Sequence, residues 1–151
     1  NKGKLNKLTQ IPSCLPKSLQ KLVLTGNRNN EWLIRDFSSL ASLTGLTHLD
    51  LSYNQITDIS SLPSLTGLTS LDLSQNKIAD FSSLASLTGL TRLDLTNNQI
   101  TDISLDFLNS FPELTHLHLE ENPIQNIPKE IFDNKYGNVL PAVRTYLESI
   151  L

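Results

Sequence analysis

His116, His118 and Glu120 alternate along one predicted strand, so they share a face, with Asp94 beside them. Two imidazoles at i and i+2 with a carboxylate third are donor types that a zinc ion accepts. The same residues also make an ordinary polar strand face, and that reading is adopted: no metal and no cofactor is expected. Asp50, Asp72 and Asp94 recur at one position of successive strands. Stacked about 4.8 Å apart, such carboxylates repel one another modestly and would gain from a Lys or Arg on a ligand. Leu-Asp-Leu is also a common filler of repeated strands, so the column by itself does not name a ligand. No Ser is paired with both a His and an acid, and the many Ser residues fall where local hydrogen bonding uses them. No catalytic residue is assigned.

What places these residues is a repeat. LTHLDLSYNQITDISSLPSLTG begins at Leu46, LTSLDLSQNKIADFSSLASLTG at Leu68 and LTRLDLTNNQITDIS at Leu90, a period of 22 residues. A fixed period of this length marks a solenoid, in which each unit buries its apolar face only against its neighbours. Each unit opens L-x-x-L-x-L-x-x-N. The alternating Leu residues predict a short strand, and tandem units predict one parallel sheet. The open face then carries four columns. These are Lys21/His48/Ser70/Arg92/His116, Val23/Asp50/Asp72/Asp94/His118, Thr25/Ser52/Ser74/Thr96/Glu120 and Gly26/Tyr53/Gln75/Asn97/Glu121.

The Asn after each strand (Asn27, Asn54, Asn76, Asn98 and Asn122, with Asn6 a degenerate first instance) carries both a donor and an acceptor. It is expected to satisfy backbone groups where the chain leaves the sheet. Ile56, Ile78, Ile100 and Ile124, then Ile59, Phe81 and Ile103, line the interior with Leu62/Leu84 and Leu65/Leu87. Asp-x-Ser-Ser-Leu supplies N-caps for a short return leg, too short for more than a 3₁₀ turn. Gly45, Gly67 and Gly89 are expected to give the permissive backbone for re-entry to the sheet.

LxxLxLxxNxI at this period resembles the leucine-rich repeat superfamily, in the short class shared with bacterial internalins, over residues 5–127. The resemblance implies a horseshoe fold and a protein-binding role. The fold class expected is α/β: a leucine-rich-repeat solenoid with one parallel β-sheet, short 3₁₀ return legs and a helical C-terminal cap. Repeats span 1–127, with 1–18 a partial first one, and the cap spans 128–151.

Successive motif Asn residues are 21, 27, 22, 22 and 24 apart. The long step adds five residues within Arg28–Trp32 and sets the only Trp beside the sheet edge. Two readings of Trp32 stand: a binding anchor in an inserted loop, or a lid over the first repeats' core. The step of 24 gives room for an α-helical turn carrying Phe107 and Phe111. Nothing recognisable caps the N-terminal side, so more protein before Asn1, or residues 1–7, is expected to shield that edge. At the other end, Ile127-Pro-Lys-Glu-Ile-Phe starts a short helix, and Asn138 caps a second over 139–151. Its Leu140, Val143, Leu147 and Ile150/Leu151 form an apolar stripe. NPIQNIPKEIF…NVLPAVRTYLESIL also resembles the segment ending the repeat region of bacterial Roco proteins. In that family the helix leads into a Ras-like GTPase domain. That resemblance implies a chain continuing past Leu151, an expectation in keeping with a first residue, Asn1, that is not Met. No G-x-x-x-x-G-K-[ST] occurs within the 151 residues, so they carry no usual nucleotide-phosphate loop.

The net charge of −3 argues against a nucleic-acid binder. It hides a gradient: residues 1–35 carry seven Lys/Arg against Glu31, and residues 36–122 carry Lys77 and Arg92 against eleven acids. Such an axis orients a charged partner, or is a solvated face only. Cys14 is the single cysteine and no N-x-[ST] sequon occurs, which points to a cytoplasmic setting. No apolar run approaches the roughly 20 residues of a membrane span. The expected function is protein recognition through Lys21, Trp32, His48, Asp50, Tyr53, Asp72, Arg92, Asp94, His116 and His118. The partner is a protein or peptide, a basic one if the acidic column makes the contact; neither nucleic acid nor membrane is expected as a partner. The leading context is an arm of a bacterial multidomain signalling protein such as a Roco GTPase. The alternative is a secreted internalin-like adhesin, and a remoter one a metal-dependent site at His116/His118.

Overall fold

The computed structural model describes Ile11 and residues 15–26, 37–132 and 138–151. Five three-residue strands form one parallel sheet in chain order: β1 (Lys21–Val23), β2 (His48–Asp50), β3 (Ser70–Asp72), β4 (Arg92–Asp94) and β5 (His116–His118). The Leu at the middle of each of β2 to β5 points inward and is at most 2 % exposed, while its neighbours on either side face out. Return legs are 3₁₀ turns at Ser38–Ser42, Leu62–Ser64 and Ser82–Ser86, as the short spacing predicts. The two extra residues before β5 form an α-helix, α1 (Leu105–Asn109), capped by the Ser104 hydroxyl accepting the Phe107 N–H at 3.1 Å. There the Phe107 ring meets Phe81 and Phe111 edge-on, at centroid distances of 4.5 and 4.8 Å.

The Asn column is a structural ladder. Asn76 Nδ2 donates to Leu51 O and Leu73 O at 3.1 and 2.9 Å, and its Oδ1 accepts the Ile56 N–H at 3.0 Å. Asn98 and Asn122 repeat this for Ile78 and Ile100. Each Asn thus stitches its own repeat to the one before. A Thr ladder accompanies it: Thr47, Thr69, Thr91 and Thr115 hydroxyls donate to the carbonyls of Gln20, Thr47, Thr69 and Thr91.

Two local expectations are corrected. The 3₁₀ turns have no side-chain N-cap. Asp58 and Asp80 instead accept the N–H two residues on, from Ser60 and Ser82, forming a tight side-chain turn. No described glycine has positive φ. Gly45 is needed for space, since a Cβ there would lie 2.6 Å from Lys17 O, whereas at Gly89 the nearest atom would be an ordinary 3.5 Å away. The left-handed residues are Tyr53, Gln75, Asn97 and Glu121 (φ 52 to 57°), one per repeat just before the ladder Asn.

The C-terminal helix, α2 (Leu140–Ser149), is one residue shorter at its start than the predicted range and ends before Ile150. Leu140, Val143 and Leu147 are buried as expected, but Ile150 and Leu151 are 58 % and 95 % exposed and lie outside that stripe. The N-cap position is Val139, which makes no side-chain cap bond, so Asn138 is not the cap residue expected; its Oδ1 accepts from Leu140 N–H and Leu117 N–H and so ties the helix start to β5. Arg144 secures the other flank by donating to Asn109 Oδ1 and Leu108 O at 3.3 and 3.2 Å. The short helix expected from Ile127-Pro is a three-residue 3₁₀ element, Lys129–Ile131, with Pro128 as its N-cap. Asn6, Asn27 and most of the partial first repeat lie outside the described residues.

Candidate recognition face

Strand register brings the first two columns together as the spacing predicts. Lys21 pairs with His48, His48 with Ser70, Ser70 with Arg92 and Arg92 with His116; Val23 pairs with Asp50, Asp50 with Asp72, Asp72 with Asp94 and Asp94 with His118. A column holding Lys21 and Arg92 among His48, Ser70 and His116 therefore runs beside the carboxylate column, two residues apart along each strand. Between Lys21, His48, Asp50, Ser70, Asp72 and Arg92 lies a shallow depression of ≈ 200 Å³.

The acids also serve the fold. Asp50, Asp72 and Asp94 Oδ1 accept the N–H of Ser52, Ser74 and Thr96 at 2.9 to 3.0 Å, turning the chain out of the sheet. Asp72 receives the Ser74 hydroxyl as well, at 2.7 Å. Oδ2 of Asp50 accepts from Thr25 at 3.3 Å, while no donor reaches Oδ2 of Asp72 or Asp94 among the described residues. Burial raises the Asp72 carboxyl above the usual carboxylate range; the Ser74 hydroxyl and N–H oppose this, and the charges of Asp94 and Asp50 add to it. Asp72 is thus the acid that gains most from an incoming cation.

The histidines divide by position. His48 and His116 are exposed, with Nδ1 at 2.9 and 3.0 Å from the Thr47 and Thr115 hydroxyls. Those hydroxyls already donate to carbonyls, so in each contact Nδ1–H donates to the hydroxyl oxygen. His118 is half-buried, its Nδ1 is 3.8 Å from Glu120 Oε1, and its buried Nε2 has no hydrogen-bond partner. Glu120 also accepts from the Thr96 hydroxyl at 3.2 Å. Among the described residues no three His, Cys, Asp or Glu side chains converge as metal ligands. Tyr53 is half-buried with a left-handed backbone, at the strand exit rather than at the centre of the face. Trp32 lies outside the described residues. Sequence reasoning missed the Thr ladder and Asn126, which holds Ile103 by both N–H and C=O at 3.2 and 2.7 Å. The Thr signal was legible as the Leu-Thr pair opening the repeats at Leu46, Leu68, Leu90 and Leu114.

Among solved structures, an internalin (inlF) from Listeria monocytogenes is 30 % identical at TM-score 0.62, over 72 % of this chain and 36 % of its own. An internalin C2 (inlC2) from the same organism is 36 % identical, also at TM-score 0.62, over 72 % and 45 %. The functional domain of InlJ from Listeria monocytogenes, which includes a cysteine ladder, is 26 % identical at TM-score 0.62, over 80 % and 25 %. The chain spans less than half the length of each of these structures. With Cys14 alone it has no cysteine ladder of its own. No curated protein matches the sequence. The profile of the family described as Leucine Rich repeats (2 copies) matches residues 17–64, 44–86, 66–106 and 88–134. With those matches running almost unbroken from β1 past β5, the chain belongs to the leucine-rich repeat family.

Proposed function

We propose that the chain is a recognition module whose open sheet face, the concave side of the solenoid, binds a basic segment of a protein partner. The observation that carries this reading is the central column Asp50–Asp72–Asp94, built in register on three adjacent strands. Asp72, at its centre, has a carboxyl that burial and both neighbours make harder to ionise. A Lys or Arg seated there relieves that burden and meets all three carboxylates at once. Lys21 and Arg92 flank the column and set the ligand's orientation by repelling a second cation, with His48 and His116 as polar neighbours in the same row.

A lysine-rich decapeptide titrated against the protein tests the reading, with backbone shifts followed by NMR. Binding should weaken as salt rises. Charge reversal at Asp72 should reduce it far more than reversal at Asp102, an exposed acid on a return leg that accepts only from Thr101. Equal effects at the two sites would move binding off this face.

Two cellular contexts are open to this module. The likeness to internalins over 72 to 80 % of the chain favours a bacterial adhesin-like setting. The GTPase-arm context rests on residues 122–151 alone, and the cytoplasmic setting on Cys14 and the missing sequons. Cell fractionation, with the coding sequence beyond Leu151, separates them: a phosphate-binding loop supports the arm, a surface anchor the adhesin.

A further inference from the structure

The free side of β5 leaves a second set of polar groups unused. Along the solenoid each repeat passes three donors to the next: Leu95 N–H to His118 O, Asn97 N–H to Glu120 O and Ile100 N–H to Asn122 Oδ1, at 2.9, 2.8 and 3.0 Å. One repeat on, the same positions are Leu119, Glu121 and Ile124. None of these N–H groups meets an acceptor among the described residues. Leu119 is 1 % and Ile124 8 % exposed, so donors on nearly buried residues stand unpaired.

The C-terminal segment completes only the first half of this edge. Leu117 N–H donates to Asn138 Oδ1, Asn138 Nδ2 donates to Thr115 O, and Val139 N–H donates to Leu117 O. Asn138 and Val139 thus imitate the start of a sixth strand. Past Leu117 the pairing stops and a cleft of ≈ 490 Å³ opens, lined by Leu119, Ile124 and Phe132 and by Glu120, Glu121 and Lys129.

We propose that this cleft is a strand-addition site taking an extended segment of a partner protein, laid parallel to β5. Two alternate carbonyls of the segment accept from Leu119 and Glu121, and the carbonyl of an Asn side chain accepts from Ile124, reproducing what the next repeat would supply. Two carboxylates against one ammonium select a Lys or Arg opposite Glu120. A second copy joined β5 to β5 would bring the Glu120 and Glu121 pairs of both chains together, which like-charge repulsion disfavours. The site is separate from the acidic column of the open face.

The probe is an acetylated, amidated peptide copying residues 94–100 with Thr96→Lys, whose register sets that Lys against Glu120 and stops short of Asn138 and Val139. In the free protein the amides of Leu119, Glu121 and Ile124 should exchange faster than those of Leu95, Asn97 and Ile100. Saturating peptide should protect all three. The N98A peptide should lose protection at Ile124 alone. E120K in the protein should weaken binding about tenfold, one charge pair lost and one repulsion gained, while Asp102→Lys, on an exposed return leg, should leave it unchanged. The proposal is overturned if the three amides are already protected without peptide. It is overturned equally if the peptide protects other amides instead, or if the protein occupies the edge by self-association.

Discussion

Replacing Asn76 by Ala tests the ladder at a position where the loss can be counted. The side chain, 7 % exposed, donates to Leu51 O, Leu73 O and Ser74 O and accepts from Ile56 N–H. The three carbonyls keep partners without it: Asn54 Nδ2 still reaches Leu51 O, Asn98 Nδ2 reaches Leu73 O, and Tyr53 N–H reaches Ser74 O. Only Ile56 N–H is orphaned, on a residue 4 % exposed. One buried donor without an acceptor costs about 1–3 kcal/mol. Asn76→Asp should be worse than Ala, because it keeps the acceptor for Ile56 but sets a carboxylate against three carbonyl oxygens. Urea unfolding followed by circular dichroism reads the stability change. Amide exchange reads its location, with Ile56 losing protection before Ile78, which Asn98 holds. An unfolding midpoint equal to wild type, or Ile78 opening together with Ile56, would refute the account.

Asp72→Asn should stabilise the protein at neutral pH. A carboxyl raised on folding favours the folded state below its unfolded pKa and loses that contribution as pH rises through its folded one, so the gain should vanish in acid; melting temperatures across pH check this. Gln75→Val should destabilise by about 1–2 kcal/mol through a β-branched side chain at φ 57°, with Gln75→Gly tolerated; chemical denaturation of both decides. Leu147→Ala, at 5 % exposure on α2, should cost about 2–5 kcal/mol, and an unchanged urea midpoint would show that α2 does not hold the last repeat.

The strands, their order and the two charged columns were legible because a 22-residue period fixes register without any other information. Once Leu49, Leu71 and Leu93 point inward, His48/Asp50 and their counterparts must point out. What the period could not convey was backbone conformation. Tyr53, Gln75, Asn97 and Glu121 are four different residue types with no Gly among them, so their common left-handed φ leaves no repeated residue to read. The glycines misled for the opposite reason: a conserved spacing of Gly45, Gly67 and Gly89 reads as conformational freedom, while the fold uses it at Gly45 for clearance. The double role of the acids was hidden as well. Asp50, Asp72 and Asp94 were visible as an acidic strip, but their grip on the N–H two residues on shows only in coordinates.

Because every Asn holds the repeat before it, and backbone N–H groups of each repeat reach acceptors on the repeat after, the molecule is divisible at any junction between repeats. A duplicate of residues 68–89 inserted after Gly89 would find the same carbonyls waiting and present the same ones onward. Its Asp would lengthen the carboxylate column by one step of about 4.8 Å without moving β5 or α2 relative to their neighbours. Gene duplication or slippage can therefore alter the reach of this surface in whole units, and a partner bearing one more cation could be accommodated by copying rather than by redesign.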